Sequence, residues 1–211
     1  MKTRHTLKIG VLVALLSAGG MTVNAQMKPE PMAKAYPAGT ATAIFAGGCF
    51  WCSESDFEKV PGVLEVESGY TGGRTDRPTY EAVSAGNTGH TEAVRVIYDP
   101  NKVSYRQLVE YHWRHIDPTV KDRQFCDVGS QYRSGIYWQN EAERQVVEAS
   151  LKALKESGRF QNIYTEVAPA TPFWLAEEYH QDYYKKNPLR YSYYRASCGR
   201  DQRIESLWGK K

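Results

Sequence analysis

The chain has 211 residues, of which 41% are hydrophobic and 24% are charged, the balance of an ordinary soluble globular protein with one domain. The formal net charge is only +3, and three basic residues near the amino terminus account for it. Without residues 1–25 the chain would carry 24 basic and 24 acidic residues. This balance argues against nucleic acid or an anionic membrane surface as a partner.

The first 25 residues have the layout of a cleavable secretory signal peptide. Lys2, Arg4 and Lys8 make a basic start, a short apolar run follows, and small residues lead to Ala25. The apolar run is shorter than a typical membrane-spanning helix. The alternative to a cleavable signal peptide is an uncleaved amino-terminal anchor. We therefore expect an exported protein, located in the periplasm.

The rest of the chain is predicted to form one domain after a linker. Residues 26–40 are rich in Pro, Ala and Gly and indicate a flexible linker, and the domain spans 41–211. The predicted strands are 40–48, 63–73, 91–100, 134–139 and 163–170. The predicted helices are 52–60, 104–116 and 140–158, with one helical turn at Tyr80–Ser84. Residues 173–187 are predicted to form a helix or a pair of turns. A polar loop is expected at 117–132 and a tail from about residue 188. This alternation favours a layered domain of the α+β or α/β class.

The stretch AGGCFWCSES, residues 46–55, carries the clearest chemical signal. Cys49 is predicted at the start of a helix, where backbone N–H groups stabilise a thiolate and lower the pKa of the thiol. Cys52 lies one turn later, close enough for a disulfide with Cys49. This pattern indicates thiol redox chemistry, with a static disulfide as the alternative. Only two cysteines are clustered, so no metal site is predicted.

Two further segments offer polar side chains. Glu92 is the second residue of a predicted strand and would serve as a general acid if burial raised its pKa, whereas alone it would simply face solvent. The stretch CDVGSQYRS, residues 126–134, could deliver Asp127 and Tyr132 into a cleft, with an ordinary surface loop as the alternative.

Five segments together resemble the peptide-methionine (S)-S-oxide reductases of the A type. They are GGCFWCSESDFEKVPGV, SGYTGG, PTYEAVSAGNTGHTEAV, DVGSQYRS and EEYHQDYY, in the order and at the spacing of that family. The resemblance runs from about residue 42 to residue 208. It implies an α+β fold, an α/β two-layer sandwich with a ferredoxin-like core, long loops and a carboxy-terminal tail.

The resemblance also implies a role for each matching residue. Cys49 matches the nucleophile, and Phe50 and Trp51 match the aromatic wall around the S-methyl group of the substrate. Glu92 matches the acid that protonates the sulfoxide oxygen. The remaining matches in the oxygen-binding pocket are Tyr80, Tyr132 and Asp127.

The implied reaction converts the S epimer of methionine sulfoxide, in proteins or free, to methionine. Cys49 becomes a sulfenic acid, a second thiol condenses with it, and an outside reductant reduces the disulfide. Because the bacterial periplasm is kept oxidising, we expect a thioredoxin-like or membrane-fed thiol donor as partner. We expect a monomer without a cofactor.

The chain departs from the commoner family pattern at position 52, where most members carry glycine. Cys52 is therefore a candidate resolving cysteine, and Cys126 and Cys198 compete with it. Either a first Cys49–Cys52 disulfide is relayed outward by Cys198, with or without Cys126, or Cys126 and Cys198 form a separate bridge that pins the tail.

Two other functions would each explain part of the sequence. A general thiol–disulfide oxidoreductase would use Cys49 and Cys52 but would leave Glu92, Tyr80 and Tyr132 without a role. A non-catalytic binding module would hold two disulfides and bind a ligand with its aromatic residues.

Overall fold

The computed structural model describes residues 36–209, so the predicted signal peptide and most of the predicted linker lie outside the described residues. The strands are β1 (Ala41–Gly47), β2 (Val63–Thr71), β3 (Thr91–Tyr98), β4 (Arg123–Gln124), β5 (Asp127–Val128), β6 (Ser134–Trp138), β7 (Glu166–Pro169) and β8 (Trp174–Leu175). The helices are α1 (Phe50–Phe57), α2 (Tyr80–Ser84), α3 (Tyr105–Trp113), α4 (Glu141–Glu156), α5 (Tyr183–Lys186), α6 (Pro188–Ser197) and α7 (Arg200–Trp208). Within this range, no helix combines the length and the apolar character needed to cross a membrane.

Six strands form one mixed sheet in the order β7-β6-β1-β3-β2-β8. Neighbouring strands are antiparallel except β6 and β7, which are parallel. In the centre, Phe45 of β1 lies opposite Val94 of β3 on one side and Ile136 of β6 on the other. The protein therefore has a mixed α/β fold. The ferredoxin-like description of its core stays a prediction.

The side chains of β1 alternate between the two faces of the sheet, as the period of a strand requires. Phe45 points to the face covered by helices, where its ring lies 4.8 Å from that of Phe57 in α1. Leu108 of α3 and Val147 of α4 belong to the same fully buried core. A smaller cluster on the other face contains Ile44, Ala46, Ala93 and Tyr137.

Local signals predicted α3 and α4 well. Ser104 caps α3 by accepting a hydrogen bond from the Gln107 N–H, and the Gln107 side chain accepts one from the Ser104 N–H at 2.9 Å. Asn140 caps α4 in the same way, with 3.0 Å to the Glu143 N–H. Both helices are confirmed because each carries its own start signal.

A continuous helix, one of the two alternatives predicted for residues 173–187, is wrong, whereas turns at 178–182 agree with the other alternative. Trp174 pairs with Tyr70 in strand β8, turns follow, and α5 begins only at Tyr183. A Cβ atom at Gly69 would lie 2.4 Å from the carbonyl oxygen of Trp174, so glycine permits this close approach. Pairing with the sheet edge thus overrides the local helical pattern.

The carboxy-terminal tail is helical, which the sequence analysis missed. Pro188 is the first residue of α6, a position that suits its fixed φ, and Gly199, at φ 65°, separates α6 from α7. The polar loop at 117–132 also contains more structure than predicted, since β4 and β5 form a hairpin and a 3-10 turn follows at Ser130–Tyr132.

Candidate active site

A sharp turn after β1 positions the first cysteine. Gly48 has φ 81°, and a Cβ atom there would lie 2.5 Å from Cβ of Gln124, so the position favours glycine for two reasons. Cys49 follows as the N-cap residue of α1, and no described group accepts or donates a side-chain capping bond there. The thiol of Cys49 is therefore available to the site, although only 7% of the residue is exposed.

Cys49 and Cys52 are buried free thiols within one helical turn, and a hydrogen bond links them. Burial raises the pKa of Cys49, and the neighbouring Cys52 and Glu92 raise it further. The hydrogen bond with Cys49 lowers the pKa of Cys52, and the guanidinium of Arg200 also lowers it. The prediction that the helix start lowers the pKa of Cys49 is wrong, because burial outweighs it.

Glu92 of β3 is the acid nearest to the helix start. Its carboxylate accepts a 3.0 Å hydrogen bond from the backbone N–H of Phe50, and only 2% of the residue is exposed. Burial raises the pKa of Glu92 to about 8, the hydrogen bond from Phe50 opposes the shift, and the charge of Asp127 adds to it. Glu92 does not face solvent, and at neutral pH it is mainly protonated and able to donate a proton.

Two tyrosines surround this carboxyl. Tyr80 opens α2, and its backbone N–H donates to the Glu177 carboxylate at 2.9 Å. Tyr132 ends the 3-10 turn. Burial raises the pKa of both phenols, and the charges of Glu92 and Cys49 raise it further. Both phenols therefore stay protonated and lie close to the acid and the nucleophile as hydrogen-bond donors.

Phe50 and Trp51 form an aromatic wall with residues from the segment before α6. The Trp51 ring stacks on that of Tyr183 at 3.7 Å, and its indole N–H donates to His180 at 3.0 Å. The His180 ring lies 5.0 Å from Phe50 and 4.4 Å from Tyr80. His180 and Tyr183 belong to the motif EEYHQDYY, for which no role was predicted from the sequence.

Asp127 of β5 reaches the site through Tyr194 of α6. The Tyr194 hydroxyl donates to Oδ2 of Asp127 at 2.6 Å and also lies in hydrogen-bonding contact with Cys49. The Tyr194 ring meets Trp51 edge-on at 5.9 Å. Burial raises the pKa of Asp127. Tyr194 was missed because the tail was not predicted to be helical.

Cys126 and Cys198 form a disulfide across 72 residues of sequence. The bond ties the β4–β5 hairpin to the end of α6, as in the second of the two predicted arrangements. Cys126, Asp127 and Cys198 also make the one group in residues 36–209 whose donor atoms cluster tightly enough for a metal ion. Both sulfurs are already bonded to each other, so they do not ligate a metal in this form.

A buried ion cluster lies at the end of α1. Asp56, only 3% exposed, pairs with Arg195 at 2.9 Å and with Arg200 at 3.5 Å. Arg200 also donates to the carbonyl oxygens of Gly47 and His115, each at 2.9 Å. The paired charges make the burial of Asp56 tolerable and hold α6 and α7 against α1.

Residues 41–211 match the family model of peptide methionine sulfoxide reductase. The chain belongs to this family. It is 50% identical over 170 residues to MsrA of Bacillus licheniformis, covering 80% of this chain and 94% of that protein. It is 45% identical over 201 residues to MsrA 2 of Caulobacter vibrioides, covering 95% of this chain and 97% of that protein. The structure of methionine sulfoxide reductase A of Corynebacterium diphtheriae superposes on this one with a TM-score of 0.66 at 39% identity. The match covers 72% of this chain and 77% of that chain.

These relatives place the chain among the A-type methionine sulfoxide reductases, and its mixed α/β fold agrees with theirs. The protein is therefore an enzyme, a peptide-methionine sulfoxide reductase that uses thiols to reduce its substrate. The alternative prediction of a non-catalytic binding module is therefore wrong.

Proposed function

We propose that the protein reduces the S epimer of methionine sulfoxide, in proteins or free, through a sulfenic acid on Cys49. The observation that carries the proposal is the position and pKa of the Glu92 carboxyl. It accepts a hydrogen bond from the Phe50 N–H beside Cys49, and burial raises its pKa to about 8. A sulfoxide sulfur is a poor electrophile until its oxygen is protonated. An acid that keeps its proton at neutral pH, placed beside a thiol, meets that requirement.

The arrangement of the site supports selection of one epimer. The sulfoxide oxygen would accept hydrogen bonds from Glu92, Tyr80 and Tyr132, while its methyl group packs on Phe50 and Trp51. The positions of the oxygen, the methyl group and the attacking thiol would then be fixed. The R epimer could occupy the same positions only by pointing the rest of the substrate in another direction or by losing the hydrogen bonds to its oxygen. A site built on hydrogen bonds discriminates strongly against a substrate that cannot form them.

The first step breaks the sulfur–oxygen bond of the substrate. The Cys49 thiolate attacks the sulfoxide sulfur, and Glu92 donates its proton to the oxygen. The phenols of Tyr80 and Tyr132 stabilise the charge that develops on that oxygen. The hydroxyl group then moves from the substrate sulfur to the Cys49 sulfur as the new sulfur–sulfur bond breaks. Methionine leaves with the electron pair of that bond on its sulfur, and Cys49 is left as a sulfenic acid.

The second step resolves that sulfenic acid. The thiolate of Cys52, favoured by its hydrogen bond with Cys49 and by Arg200, attacks the Cys49 sulfur and forms a disulfide. The hydroxyl group takes up a proton and leaves as water. An outside dithiol then reduces the disulfide by two thiol–disulfide exchanges. The Cys126–Cys198 bond already present in the structure is not needed for this sequence.

We further propose that the enzyme repairs proteins outside the cytoplasm after its signal peptide is removed. The support is the layout of residues 1–25 alone. The reductant would then be an exported thioredoxin-like protein or a membrane-fed thiol donor. Fractionation of cells expressing the full chain tests this, and a purely cytosolic pool that retains the first 25 residues would refute it.

The decisive assay gives the purified protein a chemical dithiol and separate S and R epimers of a methyl sulfoxide. We expect wild type to reduce only the S epimer and Cys49→Ser to reduce neither. Reduction of insulin disulfides, measured in parallel, tests the general thiol–disulfide oxidoreductase. If insulin is reduced and neither sulfoxide is, in a protein with an intact fold, the proposal fails.

A further inference from the structure

The hydroxyl group of Tyr194 lies between an acid and the nucleophile. It is 2.6 Å from Oδ2 of Asp127 and in hydrogen-bonding contact with the Cys49 thiol. We propose that Tyr194 is a further catalytic residue, which donates its hydroxyl hydrogen bond to the Cys49 sulfur as that sulfur becomes the attacking thiolate. The inference rests on the proposed role of Cys49 as nucleophile.

Proton counting shows how Asp127 controls this hydrogen bond. A phenol has one proton, so Tyr194 cannot donate to Asp127 and to Cys49 at the same time. When Asp127 is ionised, its carboxylate holds this proton while Cys49 is a neutral thiol, and it competes for the proton with the thiolate once Cys49 ionises. When Asp127 is protonated, its carboxyl donates to the phenolic oxygen and the hydroxyl is free for Cys49. Burial raises the pKa of Asp127 and so favours the protonated state, whereas the bond with Tyr194 and the charge of Arg200 favour the ionised one.

The fold holds the two ends of this relay together. Tyr194 lies on α6, and the residue that follows this helix, Cys198, is bonded to Cys126, the residue before Asp127. The Tyr194 ring is also packed edge-on against Trp51 beside the nucleophile. The relay therefore joins three segments that are far apart in sequence but tied by a covalent bond and by ring packing.

The reactivity of Cys49 with pH reports directly on this hydrogen bond, because only the thiolate is alkylated. The groups that face Cys49 are Cys52 of α1, Glu92 of β3, Tyr80 of α2, Tyr132 of the 3-10 turn and Tyr194 of α6. Since Cys52 titrates together with Cys49, the test uses a Cys52→Ser background. The disulfide protects Cys126 and Cys198, so Cys49 is then the one alkylated cysteine.

The experiment measures the rate of alkylation by iodoacetamide against pH, and the rate of sulfoxide reduction in a single turnover. Tyr194→Phe should move the alkylation midpoint to higher pH and slow the single turnover about tenfold or more. Tyr193→Phe is the matched control, since this neighbouring residue is 76% exposed, and it should change neither quantity. Asp127→Asn should move the midpoint to lower pH, because its amide donates to the phenolic oxygen at every pH.

Three results would overturn the proposal. One is a Tyr194→Phe variant that matches Tyr193→Phe in both measurements. Another is a slower turnover without a shift of the midpoint, which would indicate a structural role. A midpoint that moves to higher pH in Asp127→Asn would contradict the direction of the relay. If the parent protein reduces no sulfoxide, the proposed function fails, yet the alkylation profiles still decide whether Tyr194 bonds to Cys49.

Discussion

The Glu92 carboxylate accepts a 3.0 Å hydrogen bond from the backbone N–H of Phe50. This bond joins the third strand of the sheet to the helix that starts at the nucleophile. Because the donor is a backbone group next to Cys49, the acid is held at a set position relative to the thiol. The same N–H group would otherwise be one of the unsatisfied donors at a helix start.

Glu92 should set the alkaline limit of the reaction. The proton-donating form is lost as the pH rises through the pKa of Glu92, about 8, whereas the Cys49 thiolate forms only at higher pH. The single-turnover rate of wild type should therefore reach a maximum between the two pKa values and fall above it, which gives an alkaline limb. Glu92→Gln should slow the reaction about 10²- to 10⁴-fold and abolish this limb. Rapid-mixing assays between pH 5 and 10 measure both effects. Glu54→Gln is the matched control, since burial raises the pKa of Glu54 to about 8 as well. A limb that persists in Glu92→Gln would contradict the assignment.

Glu54 itself should make stability depend on pH. Its carboxylate accepts the Asp182 N–H at 3.0 Å, and burial raises its pKa from the ordinary 4.5 to about 8. Between these values the folded protein holds a proton that the unfolded chain has lost, so the free energy of unfolding falls as the pH rises through this window. The free energy of unfolding of Glu54→Gln, relative to that of wild type, should therefore rise by on the order of 3 kcal/mol between pH 5 and pH 9. Urea unfolding at both pH values measures this, and an equal difference at both would refute it.

Cys52 should be the resolving cysteine. After one turnover without reductant, wild type should contain a Cys49–Cys52 disulfide by mass mapping. Cys52→Ser should instead accumulate a sulfenic acid on Cys49 that a dimedone probe traps. A variant in which Cys126 and Cys198 are both serine should still turn over repeatedly with a dithiol. Arrest of that double variant after one turnover would show that the second cysteine pair relays the disulfide outward.

Gly48 should be essential for placing Cys49. Gly48→Ala combines a strained φ of 81° with a Cβ atom 2.5 Å from Gln124, and it should cost about 1–3 kcal/mol of stability and reduce activity. Gly158→Ala is the matched control, because Gly158 has φ 65° but no described atom within 4 Å of its added Cβ. The control should lose stability through strain alone and keep its activity. Equal activity in both variants would contradict the role given to Gly48.

Predictions from sequence were best where the signal was local. Ser104 and Asn140 mark the starts of α3 and α4 with side chains that cap the helix three residues on. The segment around Trp174 was mispredicted because its pairing partner, Tyr70, lies about a hundred residues earlier and leaves no mark on the local pattern. The tail was mispredicted for a similar reason, since α6 and α7 are held by ion pairs such as Arg195 with Asp56.

By itself, the sequence determined the family and the residues that carry the implied chemistry, Cys49, Glu92, Tyr80 and Tyr132 among them. Short motifs suffice for this because five of them match the family in order and spacing, and the resemblance then assigns a role to each matching residue. Only the tertiary structure decided that Cys126 pairs with Cys198, that Tyr194 joins the site, and that burial raises the pKa of Glu92 and Cys49. Disulfide pairing, long-range contacts and desolvation all depend on which distant segments pack together, and no local stretch of sequence specifies that packing.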